Sequence, residues 1–158
     1  MDNNELLDKA SQHYEEQKEL QREAVSEIGQ AEGLGKTETV TLGQTEIKVK
    51  NWIPGGIEKE LGRFVSAEEQ GNHGYILENM DKLVDVLTNL CVEEPFNKEV
   101  FWAEYYDQWG MEGMVTSFHR IAEPGLEGME ERIEVDDMER KQNALGNSQR
   151  RNQGWQRR

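Results

Sequence analysis

Apolar residues recur mainly at spacings of three, four and seven through the first 28 positions, between Glu, Gln and Lys side chains that favour helix. The spacing places them in a narrow stripe and predicts a charged helix over residues 1–28. Because so narrow a stripe cannot form a core alone, we expect the helix either to dock on the rest of the protein or on a second copy, or to fray. Residues 29–36 contain three glycines and are interpreted as a flexible linker.

The clearest strand pattern is the alternation of apolar and polar residues in TETVTLGQTEIKVK, residues 37–50. Gly43-Gln44 fits a two-residue type II′ turn, which has glycine first. The opposite pairs are then Leu42–Thr45, Val40–Ile47 and Glu38–Val49. One face of this hairpin is mostly apolar, and two strands alone are only marginally stable in water, so we expect that face to lie on helices.

After the hairpin, apolar residues return to helical spacing as far as Pro124. The pattern predicts four helices, near residues 57–65, 75–92, 97–109 and 111–122. The second has the strongest apolar stripe and is the predicted central core helix. It includes Cys91 as a small buried apolar residue and is stopped by Pro95.

Capping and breaking residues mark the ends of the later helices. Asn97 is placed to cap the third helix, Gly110 suits the left-handed position after its end, and Pro124-Gly125 should end the fourth. Residues 125–146 contain few apolar positions among many acids and predict a weaker, acidic helix. Residues 147–158 have no apolar pattern and predict an extended basic tail.

These patterns together predict an α+β, mostly helical fold class. One β-hairpin packs on a small helical bundle in a body of residues 37–124, with a separate N-terminal helix and an extended basic C-terminal arm. No apolar run approaches the roughly 18 residues of a membrane span, and the acidic, polar N-terminus does not resemble a signal peptide. We therefore expect a soluble, intracellular protein that does not bind membranes.

Charge is divided unevenly along this chain of 158 residues and formal net charge -14. Residues 1–139 contain all 32 acidic side chains and 12 of the 18 basic ones, whereas residues 140–158 contain six basic side chains and no acid. An acidic body repels nucleic acid and favours solubility, and it would also suit a halophilic host. The basic arm is expected to become ordered on assembly, against the acidic body of its own chain or of a neighbouring copy. Its predicted contact residues are Arg150, Arg151, Trp155, Arg157 and Arg158.

No catalytic or metal-binding arrangement is apparent in the sequence. His13, His73 and His119 lack metal-ligand spacing, and Cys91 is the only cysteine, so no intrachain disulfide can form. The Gly-Lys-Thr of residues 35–37 follows a polar helix rather than a buried strand, which argues against a phosphate-binding loop. We expect neither an enzyme nor a bound cofactor.

The aromatic run FWAEYYDQWG, residues 101–110, is the most distinctive patch. It contains more large rings than a four-helix body can cover, so it serves either the core or a partner-binding groove, where aromatic residues and Met are enriched. The candidate partner-binding residues are Trp102, Tyr105, Tyr106, Trp109, Met111 and Met114.

The order of features resembles the small tail assembly chaperones of tailed bacterial and archaeal viruses. The resemblance covers residues 37–124 and rests on VTLGQTEIKVK and on LTNLCVEEPFNKEVFWAEYYDQWGMEGMVTSFHRIAEP, with its Leu-Cys-Val, Trp-Gly and closing Pro. It implies a non-enzymatic protein of the host cytoplasm that binds an aggregation-prone tape measure protein, helps to recruit tail tube subunits, and leaves the finished tail.

Two features do not map onto that family: the long N-terminal helix and the Arg-rich terminus. They leave open a structural virion subunit, such as a head, connector or tail component, whose terminal arms lace around neighbouring viral proteins. Self-association is compatible with both interpretations. Nucleic-acid binding through the basic tail is the least favoured alternative, because the body is strongly acidic.

Overall fold

A computed structural model shows a mostly helical α+β protein. It describes the backbone of residues 2–156 and the side chains of residues 2–134. The chain forms two compact units, Met1–Lys36 and Thr37–Arg158. In the described part of the chain, one two-stranded antiparallel sheet accompanies five helices. The predicted fold class, a mostly helical protein with one hairpin and a separate N-terminal helix, is confirmed.

The first unit is built on helix α1, Asn3–Ala31, which buries none of its residues. The helix runs three residues further than the sequence pattern predicted. Gly33 and Gly35 follow it with positive φ angles of 85° and 82°, a conformation that glycine adopts without a Cβ penalty. The large apolar side chains exposed along α1 are Leu6, Leu7, Tyr14, Leu20, Val25 and Ile28.

The hairpin of strands β1, Thr37–Leu42, and β2, Thr45–Lys50, opens the second unit. Its register matches the predicted pairs, Leu42–Thr45, Val40–Ile47 and Glu38–Val49. Gly43 has a φ of 62°, as the first residue of a type II′ turn requires. Ile47 and Val49 are buried in the core, so the apolar face lies on the helices as predicted.

Three helices follow the hairpin: α2, Gly55–Glu69, α3, His73–Glu78, and α4, Met80–Leu90. The continuous core helix predicted over residues 75–92 is therefore wrong, since Asn79 interrupts it with φ -114° and ψ 30°. The Asn79 side chain donates from Nδ2 to the Tyr75 carbonyl at 2.8 Å. Asparagine side chains offer the backbone such local bonds in place of regular helix, which favours a break here.

The residues after α4 pair with the hairpin. Cys91 is extended and forms an isolated antiparallel bridge with Val49, and the Val92 N–H donates to the Lys48 carbonyl at 3.1 Å. Cys91 is buried as predicted but lies outside the helix, in extended backbone that pairs with the edge of β2. Burial raises the pKa of the Cys91 thiol to about 12.

Helix α5, Glu99–Gln156, completes the fold and is interrupted at Gly110, where φ is 70° and ψ is -165°. The predicted break at Gly110 is thus present as a kink. Asn97 does not cap α5, because its Oδ1 accepts no hydrogen bond; its Nδ2 donates to the Val92 carbonyl at 3.2 Å. The backbone is helical as far as Gln156, where the sequence predicted an extended tail from residue 147, and the Gln and Arg residues of that segment have high helix propensity.

The predicted helix end at Pro124-Gly125 is wrong, since both residues lie within α5 and are buried. Here the helix packs directly on the loop after β2. A Cβ on Gly125 would lie 2.6 Å from Ile53 Cδ1, and one on Gly128 would lie 2.4 Å from the Asn51 carbonyl oxygen. The packing of α5 on this loop stabilises the helix by more than the loss of the one backbone hydrogen bond that Pro124 cannot donate.

Candidate partner-binding site

Two of the six predicted partner-binding residues lie in the core. Trp102 and Met114 are fully buried, and the Trp102 indole Nε1 donates to the Phe96 carbonyl at 2.7 Å. The prediction that these two side chains receive a partner is therefore corrected: they are packed among the helices, and the indole N–H already has its acceptor. For these two residues, core packing is the interpretation that the structure supports.

The other four predicted residues are accessible to different degrees. Tyr105, Tyr106 and Met111 are half-buried, whereas Trp109 is 59% exposed. Tyr105 packs edge-on against Trp102, with ring centroids 5.5 Å apart. An exposed indole beside a partly covered phenol leaves large apolar surface in water, which is typical of interaction sites.

A groove of about 380 Å³, called here the aromatic groove, runs between the start of α5 and the turn of the hairpin. Its aromatic wall consists of Phe96, Phe101, Tyr105 and Trp109, and the buried Trp102 lies directly behind these rings. Its opposite wall is the end of the hairpin, formed by Leu42, Gly43, Thr45 and Ile47. Thr116 and Arg120 complete the lining on the polar side.

Tyr106 and Met111 do not line the aromatic groove, so the structure brings together only part of the predicted set. Sequence reasoning also missed the hairpin wall and Arg120, whose Nη1 donates to the Thr41 carbonyl at 3.3 Å. These residues are about 80 positions apart along the chain, and nothing in the local pattern joins them. The alternation of the hairpin did predict an apolar face, but not which helix would border its turn.

Two glycines of α5 determine the position of Trp109, at the exposed end of the aromatic wall. Gly110 holds the left-handed φ that kinks α5 directly after Trp109. A Cβ on Gly113 would lie 2.6 Å from Trp109 Cβ and 3.3 Å from Tyr105 Cε1. The kink thus brings Trp109 against the next turn of helix, and only glycine at position 113 leaves room for it.

A second groove of about 600 Å³, called here the acidic groove, lies between α2 and the later part of α5. Its apolar floor is formed by Val65, Phe118, Ala122 and Leu126. Its rim consists of the carboxylates Glu68, Glu69, Glu123, Glu127 and Glu130. His119, which lacks metal-ligand spacing in the sequence, also lines it and pairs with Glu68.

The carboxylates on the rim of the acidic groove lie close to one another. The pKa of the Glu127 carboxyl is raised above its usual range, mainly by the negative charge of Glu123 and further by a hydrogen bond with it. Among the residues that line the acidic groove, the sole basic side chain is His119. The groove therefore offers an apolar floor to a ligand and an excess of negative charge around it.

The remaining chemistry of the described residues is sparse. His13 forms a hydrogen bond with Gln17 on α1, and His73 begins α3. Within the part of the chain that the structure describes, no cluster of three His, Cys, Asp or Glu side chains is arranged to hold a metal ion. The helices in that same part do not combine the length and apolar character that crossing a membrane requires.

The predicted contacts of the basic tail lie outside the described side chains. These residues are Arg150, Arg151, Trp155, Arg157 and Arg158. Their contacts stay a prediction.

Comparison with protein-family models found no match, and comparisons with curated proteins and with solved structures found none either.

Proposed function

We propose that this protein is a non-enzymatic assembly chaperone or adaptor, of the kind that tail assembly chaperones of tailed viruses represent. Its aromatic groove binds an apolar helical segment of a tape measure protein during assembly in the host cytoplasm. The observation that carries the proposal is the position of Trp109, which is 59% exposed on the wall of a groove of about 380 Å³. Tyr and Trp beside a groove are the residues that most often dominate protein–protein binding.

The lining of the aromatic groove indicates the chemistry of the ligand. Rings on one wall and Leu42 and Ile47 on the other suit a large apolar side chain. Arg120, at the polar edge, supplies the cation that would pair with a carboxylate close to that side chain. An amphipathic helix with apolar residues three or four positions apart and one flanking Asp or Glu meets both requirements.

The negative charge of the body supports the same role. A chaperone that covers apolar helices must itself stay soluble while its complex forms, and net charge far from zero opposes aggregation. Residues 1–139 contain all 32 acidic side chains of the chain. Because charge of this sign repels nucleic acid and anionic membranes, it favours a protein client over either.

Co-expression tests the proposed function. The proposal requires that the genome encoding this chain also encodes a tape measure protein, and that protein is expressed alone, with the wild-type chain, and with the Trp109→Ala variant. We expect the wild-type chain to keep it soluble and the variant to do so poorly. Leu77→Ala is the matched control, since Leu77 is exposed but lies outside the aromatic groove. A tape measure protein that aggregates equally in all cases would overturn the proposal.

A structural virion subunit is the second candidate, and helix α1 is the observation that favours it. Six large apolar side chains are exposed along α1, which buries none of its residues. Terminal helices of this kind gain stability by packing on neighbouring subunits. Mass spectrometry of purified particles separates the two: stoichiometric presence supports the virion subunit, and absence supports the chaperone.

A further inference from the structure

The acidic groove has an apolar floor and a negatively charged rim, which together favour a ligand that is both apolar and basic. Val65, Phe118 and Leu126 provide an apolar floor, and five carboxylates surround it. We infer that this groove binds the basic C-terminal segment, residues 140–158, of a second copy of this chain. The inference does not rest on the proposed function, because the acidic and aromatic grooves share no lining residue.

Charge complementarity identifies the occupant. Residues 140–158 contain six Lys and Arg and no acid, whereas the rest of the chain contains every acidic residue. The segment also contains a single large aromatic residue, Trp155, with two arginines on each side within five positions. An aromatic side chain suits the apolar floor, and flanking guanidinium groups suit the carboxylate rim, where they can form charge-assisted hydrogen bonds.

Crowding on the rim makes a cationic ligand favourable. Glu123 raises the pKa of Glu127, so the two carboxylates repel each other when both are ionised. The groups that face this pair are His119, Glu130 and Glu131 from α5, Glu68 and Glu69 from α2 across the groove, and Glu38 from β1. An incoming guanidinium group relieves this repulsion.

The geometry of α5 places the occupant on another molecule. The groove is lined by residues 118–130 of α5, and the backbone continues as helix as far as Gln156. At 1.5 Å per residue, residue 150 lies about 30 Å beyond residue 130 along such a helix. The basic segment of one chain is thus carried away from its own groove, so the occupant of that groove comes from a second copy.

Two full-length variants test this docking. The groove variant carries Glu123→Gln, Glu127→Gln and Glu130→Gln, which are exposed positions, so the fold should tolerate the changes. The arm variant carries Arg150→Gln, Arg151→Gln, Arg157→Gln and Arg158→Gln. Sedimentation velocity measures self-association at low and high salt, and circular dichroism confirms that each variant folds.

We expect the wild-type chain to self-associate at low salt and to dissociate as salt screens the contact. Each variant alone should lose roughly tenfold or more in association constant, as expected when several exposed ion pairs are removed together. An equimolar mixture should form a 1:1 complex, because the arm variant keeps its groove and the groove variant keeps its arm.

Three results would overturn the inference. A wild-type chain that stays monomeric at low salt excludes docking between copies. Self-association that persists in both variants assigns it to another surface. A mixture that fails to associate, although the wild-type chain does, shows that the segment and the groove are not partners across two molecules.

Discussion

The Trp102 indole donates its N–H to the Phe96 carbonyl at 2.7 Å, and this bond ties the first turn of α5 to the loop before it. Phe96 also packs edge-on against Phe101, with ring centroids 5.0 Å apart. Trp102 is therefore enclosed, whereas Trp109, two turns further along the same helix, is 59% exposed. The two tryptophans of one aromatic run thus have different roles, one in the core and one at the aromatic groove.

This difference predicts that alanine lowers stability far more at Trp102 than at Trp109. Trp102→Ala should lower the free energy of unfolding by about 3–5 kcal/mol, because it leaves a cavity and an unpaired carbonyl. Trp109→Ala should change it by about 0.5 kcal/mol or less, as is usual for exposed positions. Urea unfolding followed by circular dichroism measures both. Equal losses at the two positions would contradict the division between core and groove.

Gly128 and Gly62 offer a matched pair of helical glycines. Gly128→Ala should lower the free energy of unfolding by about 1–3 kcal/mol, because its Cβ would lie 2.4 Å from the Asn51 carbonyl oxygen. Gly62→Ala on α2 meets no atom within 4 Å and should raise stability by about 0.5–1 kcal/mol through helix propensity. Thermal unfolding of both variants checks the signs. Stabilisation by both would show that α5 does not pack on the loop after β2.

Ser117 is fully buried, and its hydroxyl has no hydrogen-bond partner. Ser117→Ala should therefore stabilise the protein, because it removes an unsatisfied polar group and improves helix propensity. Ser66→Ala is the control, since the exposed Ser66 hydroxyl accepts from Gln70 at 3.3 Å. In denaturant unfolding, we expect the free energy of unfolding to rise by about 1 kcal/mol more for Ser117→Ala than for Ser66→Ala. A smaller gain in the core variant than in the control would refute this.

Cys91 should be protected from thiol reagents in the folded protein. It is buried beside β2, and burial raises its pKa to about 12, so the reactive thiolate is scarce. An aromatic disulfide reagent at mildly alkaline pH should react slowly with the native chain and rapidly once denaturant is added. Fast reaction without denaturant would place Cys91 outside the core.

The same pKa predicts how stability changes at high pH. In the unfolded chain the thiol loses its proton near its ordinary pKa of 9.0, whereas the folded chain keeps it until about 12. The folded state binds more protons between these values, so the free energy of unfolding falls as pH rises through that window. The free energy of unfolding of the Cys91→Ala variant should fall less steeply with pH. Identical slopes for the variant and the wild-type chain would contradict the assignment of this pH dependence to the Cys91 thiol.

The sequence predicted the hairpin and its register correctly because both depend on local signals. Alternation fixes the faces, and Gly43 fixes the turn. The secondary structure at Asn79, Cys91 and Pro124 was predicted wrongly for a different reason. Each position is decided by a side-chain bond, a strand edge or a packed loop that periodicity along one helix does not encode.

The candidate site was predictable only in part. The aromatic run marked the right segment, but spacing alone could not separate Trp102 from Trp109, because the loop that carries Phe96 covers one and leaves the other. The acidic groove had no local signal at all. Its carboxylates come from α2 and α5, and Glu68 and His119, which pair across it, lie 51 positions apart.

We propose that Trp109 anchors a partner helix in the aromatic groove. The most direct test of this anchoring is an anisotropy titration of the full chain with labelled peptides that tile the tape measure protein that the proposal requires in the same genome. We predict that one apolar helical peptide binds the wild-type chain and the Leu77→Ala control equally, and binds Trp109→Ala about 30-fold or more weakly, as for a hot-spot residue. Equal affinity for wild type and Trp109→Ala, or no binding by any peptide, would contradict the claim.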